Sequence, residues 1–402
     1  MNFNMNIPGL KGVVITKIEE LELGMAISVE LPRQAHQCPA CQQWTTKVHD
    51  YRIQKIKHLK WFERMTVLFY KRRRYVCDCG KRFAEKASFI ERYQRFTVEA
   101  NQALSIRAIK AKTFKEAAEV TGTSSTTVIR RFKKMAQKEM VKGVQLPKAI
   151  AIDEYKGDTD AGKYQLIIAN AETKEPIDIL PNRRKESIKD YLNRYGSELE
   201  MVVMDMSPAF KSAVRQSLGR PVIVADRFHY CRYIYWALDS VRREVQKGWH
   251  EYDRKKCKRM RHVLYKRPEK LKETDRFYLT RYTEMSPILK AAYHLKQSYC
   301  EWFDQAKKET DVSKIKERLF QFYKQVEESG IPAFKRAIQT FKNWQTEILN
   351  SFTFGYSNGF LEGINNKTKV MKRNAYGFRR FDHFKAKIIL NLKYKNWGGH
   401  VG

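Results

Sequence analysis

The sequence predicts a multidomain α+β protein, in which a β-rich amino-terminal domain and a helical segment precede a mixed α/β core that an all-helical insertion interrupts. Three observations predict this class. Two close cysteine pairs fall within the first 80 residues, the spacing becomes helical after residue 97, and short apolar runs alternate with amphipathic helices from residue 149 onwards. We therefore expect domains at residues 1–93, 94–142, 143–230, 231–350 and 351–402, with the third and fifth forming one core.

The chain is strongly basic. Its 402 residues carry 78 Lys and Arg against 44 Asp and Glu, a formal net charge of +34 spread along the whole length. Such a balance implies a polyanionic partner. Nucleic acid is favoured over a membrane because no apolar stretch approaches the roughly 20 residues that span a bilayer, and no secretory signal is present. Seven cysteines, an odd number, indicate a reducing compartment, so we expect a cytoplasmic, nucleoid-associated protein.

The amino-terminal segment combines predicted strands with a predicted zinc site. β-branched, partly alternating runs at 12–18, 25–31 and 65–70 predict the strands. Tetrahedral Zn²⁺ takes four soft ligands from two tight cysteine pairs, and metal binding would compensate for a thin core. The candidate ligands are Cys38, Cys41, Cys77 and Cys79; the alternative is four unrelated free thiols.

A basic run precedes the second cysteine pair. Arg72, Arg73 and Arg74 would place guanidinium groups on a rigid knuckle suited to contacts with DNA phosphates. The alternative is a solvated run of charge.

Residues 97–142 predict a helix-turn-helix unit. Thr97 is a candidate N-cap, and residues 114–132 have the pattern of a short helix, a glycine-containing turn and a second helix that buries Val128 and Phe132. The outward face of the second helix would meet base edges and phosphates in a major groove. Its candidate DNA-binding residues are Ser125, Thr126, Thr127, Arg130, Arg131 and Lys134. A helical bundle that contributes only packing is the alternative.

From residue 148 the pattern predicts a mixed sheet covered by helices. Three strands in hairpin succession are followed by alternating helices and strands. The expected strands are 149–155, 164–170, 177–180, 199–205 and 222–225, and the expected helices are 186–195 and 208–218. Residues 231–350 have charged, aromatic-rich helical sequence without a clear strand, and 357–397 return to amphipathic helix.

Three acidic residues fit a metal-dependent DNA-cutting site. Asp153 and Asp205 each end a short apolar run, and Glu362 opens a basic helix. Their order is that of a ribonuclease-H-like core. Phosphodiester cleavage by two metal ions requires carboxylates that hold both cations, and hard oxygen ligands select Mg²⁺ or Mn²⁺. For any single acid, the alternative is a solvated carboxylate.

Further polar residues surround these acids. Asp226 also ends a strand, and with His229 it is predicted to form a supporting pair; a purely structural pair is the alternative. Glu154 should point to the opposite side of its strand from Asp153. On the last helix, one stripe is predicted to face DNA and the neighbouring one to pack. The DNA-facing stripe is Glu362, Asn366, Lys369 and Arg373, and the packing stripe is Leu361, Ile364, Thr368 and Met371.

Over nearly its whole length, the chain resembles bacterial insertion-sequence transposases of the ISL3 family. The motifs that carry the resemblance are 38–41 with Cys77 and Cys79, 152–154, 204–208, 225–229 and 358–366. The one-residue spacing between Cys77 and Cys79 departs from the usual pair and leaves the zinc geometry open.

The resemblance implies a zinc finger, a helix-turn-helix and a DDE catalytic domain in which Asp153, Asp205 and Glu362 are the catalytic acids. It further implies cleavage at terminal inverted repeats, strand transfer to target DNA, and action as a homo-oligomer, for which we expect a dimer. The helical insertion holds Trp249, Trp302 and Trp344. We expect these to be core residues, the alternative being that one stacks on an unpaired base.

The function predicted is therefore that of a DNA transposase acting on double-stranded DNA. One alternative is a sequence-specific DNA-binding repressor with a catalytically silent core. The presence of all three acids argues against this alternative. Another is a structure-selective nuclease such as a junction resolvase, which would not require two specificity modules.

Overall fold

The computed structural model describes residues 9–140 and 145–394. The first eight residues, the end of the predicted helix-turn-helix segment at 141–142, and the end of the predicted last helix at 395–397 lie outside the described residues. The chain divides into two compact units, Met1–Lys142 and Gly143–Gly402. Each unit is built around its own sheet.

The sheet of the first unit has the order β1-β2-β6-β5, and β7 pairs with β6. The strands of this unit are β1 (Val14–Leu21), β2 (Gly24–Glu30), β3 (His36–Gln37), β4 (Trp44–Thr45), β5 (Val48–Lys57), β6 (Met65–Val76) and β7 (Arg82–Ala84). The strands expected at 12–18, 25–31 and 65–70 are confirmed with shifted ends. Strand β5 was missed because charged residues occupy both of its faces and only Ile56 is fully buried.

Three helices complete the first unit: α1 (Val98–Lys110), α2 (Phe114–Val120) and α3 (Ser125–Met140). Thr97 is the N-cap of α1, as predicted, and its hydroxyl accepts a hydrogen bond from the backbone N–H of Ala100. Val128 and Phe132 of α3 are buried at 0% and 1% exposure, which confirms the predicted packing face of the second helix-turn-helix helix.

The second unit contains a five-stranded mixed sheet of order β10-β9-β8-β11-β12. Its strands are β8 (Ala149–Thr159), β9 (Gly162–Asn170), β10 (Pro176–Leu180), β11 (Met201–Met204) and β12 (Val222–Ala225), and helices α4 (Lys185–Tyr195) and α5 (Pro208–Leu218) connect the later strands. Strands β10, β9 and β8 pair antiparallel, whereas β8, β11 and β12 pair parallel. The predicted mixed sheet is confirmed. Strand β8 is longer than expected because its hairpin with β9 continues past Asp153 to Thr159.

Both faces of this sheet are buried, but against different elements. Side chains of one parity, such as Ile150 and Val202, pack into a large core shared with the connecting helices. Those of the other parity, such as Ala151, Val203 and Val224, pack into a smaller core built with the last two helices. Alternation along each strand therefore decides which element a side chain meets.

Residues between the sheet strands and the last helices are helical. The helices are α6 (Arg227–Val245), α7 (Glu251–Arg259), α8 (Arg261–Tyr265), α9 (Glu273–Glu284), α10 (Pro287–Ala306), α11 (Val312–Ser329), α12 (Pro332–Asn343) and α13 (Gln345–Thr353), with short 3₁₀ turns at Gln246–Gly248 and Pro268–Lys270. They pack on aromatic side chains: Tyr299 lies 5.8 Å from both Phe322 and Phe341, measured between ring centroids.

The carboxyl-terminal stretch forms two helices rather than one, α14 (Gly359–Asn374) and α15 (Phe381–Lys393). The break follows from Tyr376 and Gly377, whose φ angles of 56° and 96° cannot continue a right-handed helix. Among the described residues, no helix combines the length and apolarity that crossing a membrane would require.

Candidate nucleic-acid-processing site

Three aspartates lie side by side at the carboxyl edge of the parallel strands. The register pairs Val203 of β11 with Ala151 of β8, and Met204 with Ala225 of β12. Continued along each strand, the same register places Asp153, Asp205 and Asp226 in one row. Neighbouring strands lie about 4.8 Å apart, so the three carboxylates are held close together. All three have the parity of the sheet face that α14 covers.

A histidine from the first turn of α6 joins two of these carboxylates. The Nδ1 atom of His229 lies 2.8 Å from Oδ2 of Asp226 and 2.7 Å from Oδ1 of Asp205. One carboxylate oxygen of Asp205, one of Asp226 and one ring nitrogen of His229 lie within 4.8 Å of one another. The predicted contact between Asp226 and His229 is therefore present, and it extends to Asp205.

Helix α14 is tied to the same strand ends by two asparagines. Asn365 donates through Nδ2 to Oδ2 of Asp153 at 2.7 Å. Asn358, which precedes the helix, donates through Nδ2 to the carbonyl of Ile152 at 2.9 Å and through its backbone N–H to Oδ1 of Asp226 at 3.3 Å. Both asparagines are buried. These bonds fix the amino-terminal half of α14 over the row of aspartates.

Glu362 is exposed on the first turn of α14, one helical turn before Asn365. Residues three apart on a helix have Cβ atoms about 5–6 Å from each other, so Glu362 is carried by the helix segment that reaches Asp153. Among the described residues, no ion pair involves Glu362, and its carboxylate is outside the group formed with His229. The structure thus brings Asp205, Asp226 and His229 into one group, places Asp153 on the adjacent strand outside that group, and carries Glu362 on the covering helix α14.

Burial separates the two stripes of α14 as the helical spacing predicted, and contact of the exposed stripe with DNA stays a prediction. Glu362, Asn366, Lys369 and Arg373 are all exposed, whereas Leu361 and Thr368 are buried and Ile364 and Met371 pack against the smaller core. Glu154 points to the opposite side of β8 from Asp153, as predicted, and pairs with Arg183.

Burial and mutual charge shift the proton affinities of this cluster. Burial, followed by the charge of Asp205, raises the pKa of Asp153 to about 7. Burial opposes protonation of His229, but its hydrogen-bonding and charge interactions with Asp205 and Asp226 outweigh burial and raise the pKa of His229 to about 9. The cluster therefore attracts positive charge, whether a proton or a cation.

The four cysteines of the first unit form a second cluster. Cys38 and Cys41 flank the turn between β3 and β4, while Cys77 and Cys79 lie between β6 and β7. The Sγ atoms of Cys38 and Cys79 are 3.7 Å apart and those of Cys41 and Cys77 are 3.4 Å apart. A tetrahedral zinc ion with Zn–S bonds of about 2.3 Å would separate its sulfurs by about 3.8 Å. The short spacing between Cys77 and Cys79 is thus compatible with one four-thiol centre.

Family models match the segments that contain the two clusters. A family model described as transposase, for the DDE domain of the ISL3 family, matches residues 150–388, more than half of the chain. The chain belongs to the ISL3 family of transposases. A model for the zinc finger of the transposases of IS204, IS1001, IS1096 and IS1165 matches residues 34–79, and one for the helix-turn-helix domain of ISL3 transposases matches residues 85–136.

Two similar proteins are transposases, and a third has a different name. The transposase for insertion sequence element IS1001 of Bordetella parapertussis is 25% identical over 95% of this chain and 96% of its own length. The transposase for IS1557 of Mycobacterium tuberculosis is 22% identical over 57% of each chain. A Lactococcus lactis protein named as an ATP-dependent protease is 37% identical, but over only 30% of this chain and 35% of its own. The transposase is thus a DNA-cleaving and strand-transferring enzyme.

The structure corrects one of the predicted phosphate contacts. Arg72, Arg73 and Arg74 lie on β6 rather than on a knuckle. Arg73 is buried and pairs with Glu85 and, at 3.1 Å, with Glu30, because an unpaired charge in the interior would be costly. Its guanidinium is therefore committed to the fold. Arg72 donates to the carbonyl of Glu85, and Arg74 pairs with Asp50 at 3.0 Å; both stay partly exposed.

The candidate residues of helix α3 differ in accessibility. Thr126, Arg130 and Lys134 are exposed, and Ser125 and Thr127 are partly so. The Thr127 hydroxyl lies 3.0 Å from that of Ser124 at the start of the helix. Arg131 donates to the side chain of Gln94, and burial lowers its pKa. Arg130 and Lys134 are therefore the more accessible cations among these candidates.

Sequence reasoning missed two residues that shape the site. Neither Asn358 nor Asn365 was singled out for contact with the strand ends, although both lie inside the motif at 358–366. A signal was present for Asn365, which lies between Leu361 and Thr368 on the packing side of the helix, where a buried asparagine needs a polar partner.

We expect the transposase, in the presence of a chelator, to lose stability as pH rises from about 5 to 9. Asp153 has a folded pKa of about 7, above its ordinary 3.8, so its stabilisation is present at low pH and is lost as pH rises through 7. His229, at about 9 against 6.5, loses its contribution as pH rises through 9. Each pKa unit corresponds to roughly 1.4 kcal/mol. Thermal unfolding at several pH values measures the slope.

The matched control for this pH dependence is Asp153→Asn, which removes one titrating group from the row. Between pH 5 and 7 its melting temperature should fall less steeply than that of the wild type. Equal slopes would contradict the assignment of a titrating Asp153.

Proposed function

We propose that this transposase cuts DNA at the terminal inverted repeats of an insertion sequence and joins the freed 3′ ends to target DNA, with Asp153, Asp205 and Glu362 as catalytic acids. The observation that carries the proposal is the row of aspartates at the edge of the parallel strands, covered by the helix that bears Glu362. The chain has a net charge of +34, which favours DNA as its partner, and the clustered carboxylates are suited to binding the cations that accompany DNA.

We assign the core a ribonuclease-H-like fold made of residues 143–230 and 351–402. The strand order, with three antiparallel strands followed by two parallel ones, supports this assignment. Helices α6 to α13 would then be an insertion, approximately at 231–350, between the strand of Asp226 and the helix of Glu362. The amino-terminal zinc-finger domain (1–93) and the helix-turn-helix domain (94–142) complete the proposed organisation.

The donor set fits Mg²⁺ or Mn²⁺. Oxygen ligands are what these cations prefer. Among the described residues, Oδ1 of Asn365 is a buried atom without a hydrogen-bond partner, as expected for an oxygen that faces a cation. Oδ1 of Asp205 instead contacts Nδ1 of His229 at 2.7 Å. Both oxygens of Asp226 already accept hydrogen bonds, from Asn358 and His229, which favours a supporting role for Asp226. When bound, the ions would activate the attacking oxygen and neutralise charge on the leaving one.

The proposed reaction has two displacements at phosphorus. Water attacks the phosphodiester at the element's end; the bond to the 3′ oxygen breaks, leaving a 3′ hydroxyl and a 5′ phosphate. That hydroxyl then attacks a target phosphodiester, forming a new bond to phosphorus and releasing the target's 3′ oxygen. No covalent intermediate with the protein is needed, because positioning and charge stabilisation suffice.

The chain's own side chains would position the reactants. Asn365 holds the Asp153 carboxylate, and His229 holds Asp205 against Asp226. On the exposed stripe of α14, Lys369 and Arg373 are available for phosphates flanking the scissile bond, with Asn366 between them and Glu362.

The first unit would bind the element's ends, with Zn²⁺ held by Cys38, Cys41, Cys77 and Cys79. The backbone N–H of Ala40 lies 3.5 Å from Sγ of Cys38. Burial opposes ionisation, but backbone N–H groups of Cys41 and Ala40 lower the pKa of Cys38 to about 6; the thiolate is the form that binds metal. We further propose a homodimer acting on double-stranded DNA in the cytoplasm, since an element has two ends.

We expect Arg130→Ala to weaken binding to inverted-repeat DNA by about 5- to 150-fold, or about 1–3 kcal/mol, and to relax discrimination against random duplexes. The reason is that Arg130 is an exposed cation on the proposed recognition helix α3. Binding isotherms on specific and random duplexes at fixed salt measure the effect.

The control is Lys115→Ala, on the preceding helix, where the side chain is 82% exposed and pairs with Glu119. It should lower affinity for both duplexes to a similar, small extent. Unchanged discrimination in Arg130→Ala would remove α3 from sequence recognition.

The experiment that tests the proposed function as a whole uses a supercoiled plasmid carrying the element's two ends. Purified transposase with Mg²⁺ or Mn²⁺ should nick and linearise this plasmid, but not one lacking the ends. Equal cleavage of both plasmids, or preferred cleavage of branched DNA, would reject end-specific transposition in favour of a structure-selective nuclease.

A further inference from the structure

An exposed aromatic stripe runs along α6 beside the row of aspartates. Phe228, Arg232 and Trp236 are spaced four residues apart and therefore lie on one face of the helix. Phe228 is 57% and Trp236 46% exposed. Large aromatic side chains are normally the first to be covered in a protein with a real core. Their exposure on one face calls for a functional explanation.

Arg232 lies between the two rings. Its guanidinium carbon is 5.4 Å from the centroid of Phe228 and 4.7 Å from that of Trp236. Within the described parts of the chain, Arg232 forms no ion pair, and its Nε is buried without a hydrogen-bond partner. Tyr233 further supports Trp236 by an edge contact at 5.5 Å. The stripe thus combines two π faces with one cation that no acid neutralises.

The stripe begins at the candidate site itself. Phe228 precedes His229, and their rings meet edge to face at 5.6 Å. With a rise of 1.5 Å per residue, Trp236 lies about 12 Å further along the helix axis. A DNA strand whose phosphate is held at the aspartates would therefore have its adjoining nucleotides within reach of these rings.

We propose that Phe228, Arg232 and Trp236 form a stacking platform for unpaired bases of the DNA strand that is cut at the aspartate row. Aromatic faces hold unpaired bases by stacking, and an arginine among them adds a contact to the adjoining phosphates. A paired duplex buries its base faces, so such a platform distinguishes opened from closed DNA. This inference rests on the proposed function, and it deepens that function by naming the form of DNA that the site takes.

The other tryptophans of the helical region do not offer such a surface. Trp302 and Trp344 are buried, and Trp249 is partly buried and stacks on Tyr282 at 5.3 Å. They are core residues, as expected from the sequence. The residue available for stacking is instead Trp236, which the sequence analysis did not single out.

The test compares binding of two probes in buffer without Mg²⁺ or Mn²⁺, so that the DNA stays intact. One probe is a duplex of the element's end, fully paired; the other has its terminal nucleotides unpaired and carries 2-aminopurine among them. For the wild type, we expect preferred binding of the unpaired probe and quenching of 2-aminopurine by stacking. Trp236→Ala should lower that preference by about 5-fold or more, since stacking contributes about 1–3 kcal/mol per base.

Two further variants sharpen the result. Trp236→Phe keeps an aromatic face and should retain most of the preference. Arg232→Gln keeps a polar side chain but removes its charge, and should reduce the salt dependence of binding by about one phosphate contact. The matched control is Tyr252→Ala, which removes an aromatic side chain that is 61% exposed on α7 and should leave the preference unchanged.

Equal preference and equal quenching in wild type and Trp236→Ala, with unchanged melting temperature, would overturn the inference. So would an equal loss in Tyr252→Ala, because any exposed aromatic would then have the same effect. Failure of the proposed function is distinguishable: the wild type would then prefer the unpaired probe in this assay yet would not cut the plasmid carrying the ends.

Discussion

Replacing Asp205 by asparagine should lower DNA cleavage by about 10³-fold or more, because the loss of one carboxylate removes both charge and a ligand from the proposed metal site. Asp205 directly follows β11, lies in register between Asp153 and Asp226, and contacts His229 through Oδ1. Asparagine is nearly isosteric, so the fold is expected to persist. Initial rates on the supercoiled plasmid at saturating Mg²⁺ measure the effect.

Two comparisons make this test specific. Asp226→Asn should lower activity by roughly 10- to 100-fold, the range typical of residues that orient a metal ligand. Glu154→Gln, on the other side of β8 and paired with Arg183, should retain activity within about 2-fold, because a partly exposed ion pair contributes little. Binding to inverted-repeat DNA should be unchanged in all three. Cleavage that survives Asp205→Asn would falsify its role as a ligand and leave the repressor hypothesis.

Replacing Cys77 by serine should unfold much of the first unit and abolish specific DNA binding. Zinc binding to a four-thiolate site supplies about 10–16 kcal/mol of apparent folding free energy in small domains, and the core beneath this one is small. The pair formed by Cys77 and Cys79 joins β6 to β7, so its loss also frees the edge of the sheet. Zinc content per chain and circular dichroism of the purified variant measure the outcome.

The control is Cys257→Ala, a buried thiol in the helical part of the second unit. This variant should keep its zinc and its affinity for inverted-repeat DNA. A chelator strong enough to remove zinc from the wild type should reproduce the effect of Cys77→Ser. Full zinc content and normal DNA binding in Cys77→Ser would show that the four thiols do not act together.

The sequence by itself determined most of the elements and most of the candidate residues. Each of the runs that end at Asp153, Asp205 and Asp226 is apolar because a parallel strand is buried on both faces, and an acid at its end is therefore conspicuous. The four cysteines were equally clear, since paired thiols at short spacing have few structural uses other than metal binding. Helical periodicity likewise separated the exposed and packed stripes of α14. The cysteine spacing and the helical spacing can both be read from the sequence because each is a local pattern.

Tertiary structure alone decided which residues meet. Strand register, set by pairing between segments some 50 residues apart in β8 and β11, placed the aspartates in one row and made Asp226 a neighbour of Asp205. Arg73 is buried because it pairs with the buried Glu85, although the local sequence around Arg73 is that of an exposed basic run. Packing of the helices covered Trp302 and Trp344 and left Trp236 open. Periodicity tells which face of an element is apolar, but partner, register and exposure depend on contacts between distant segments, which local sequence does not encode.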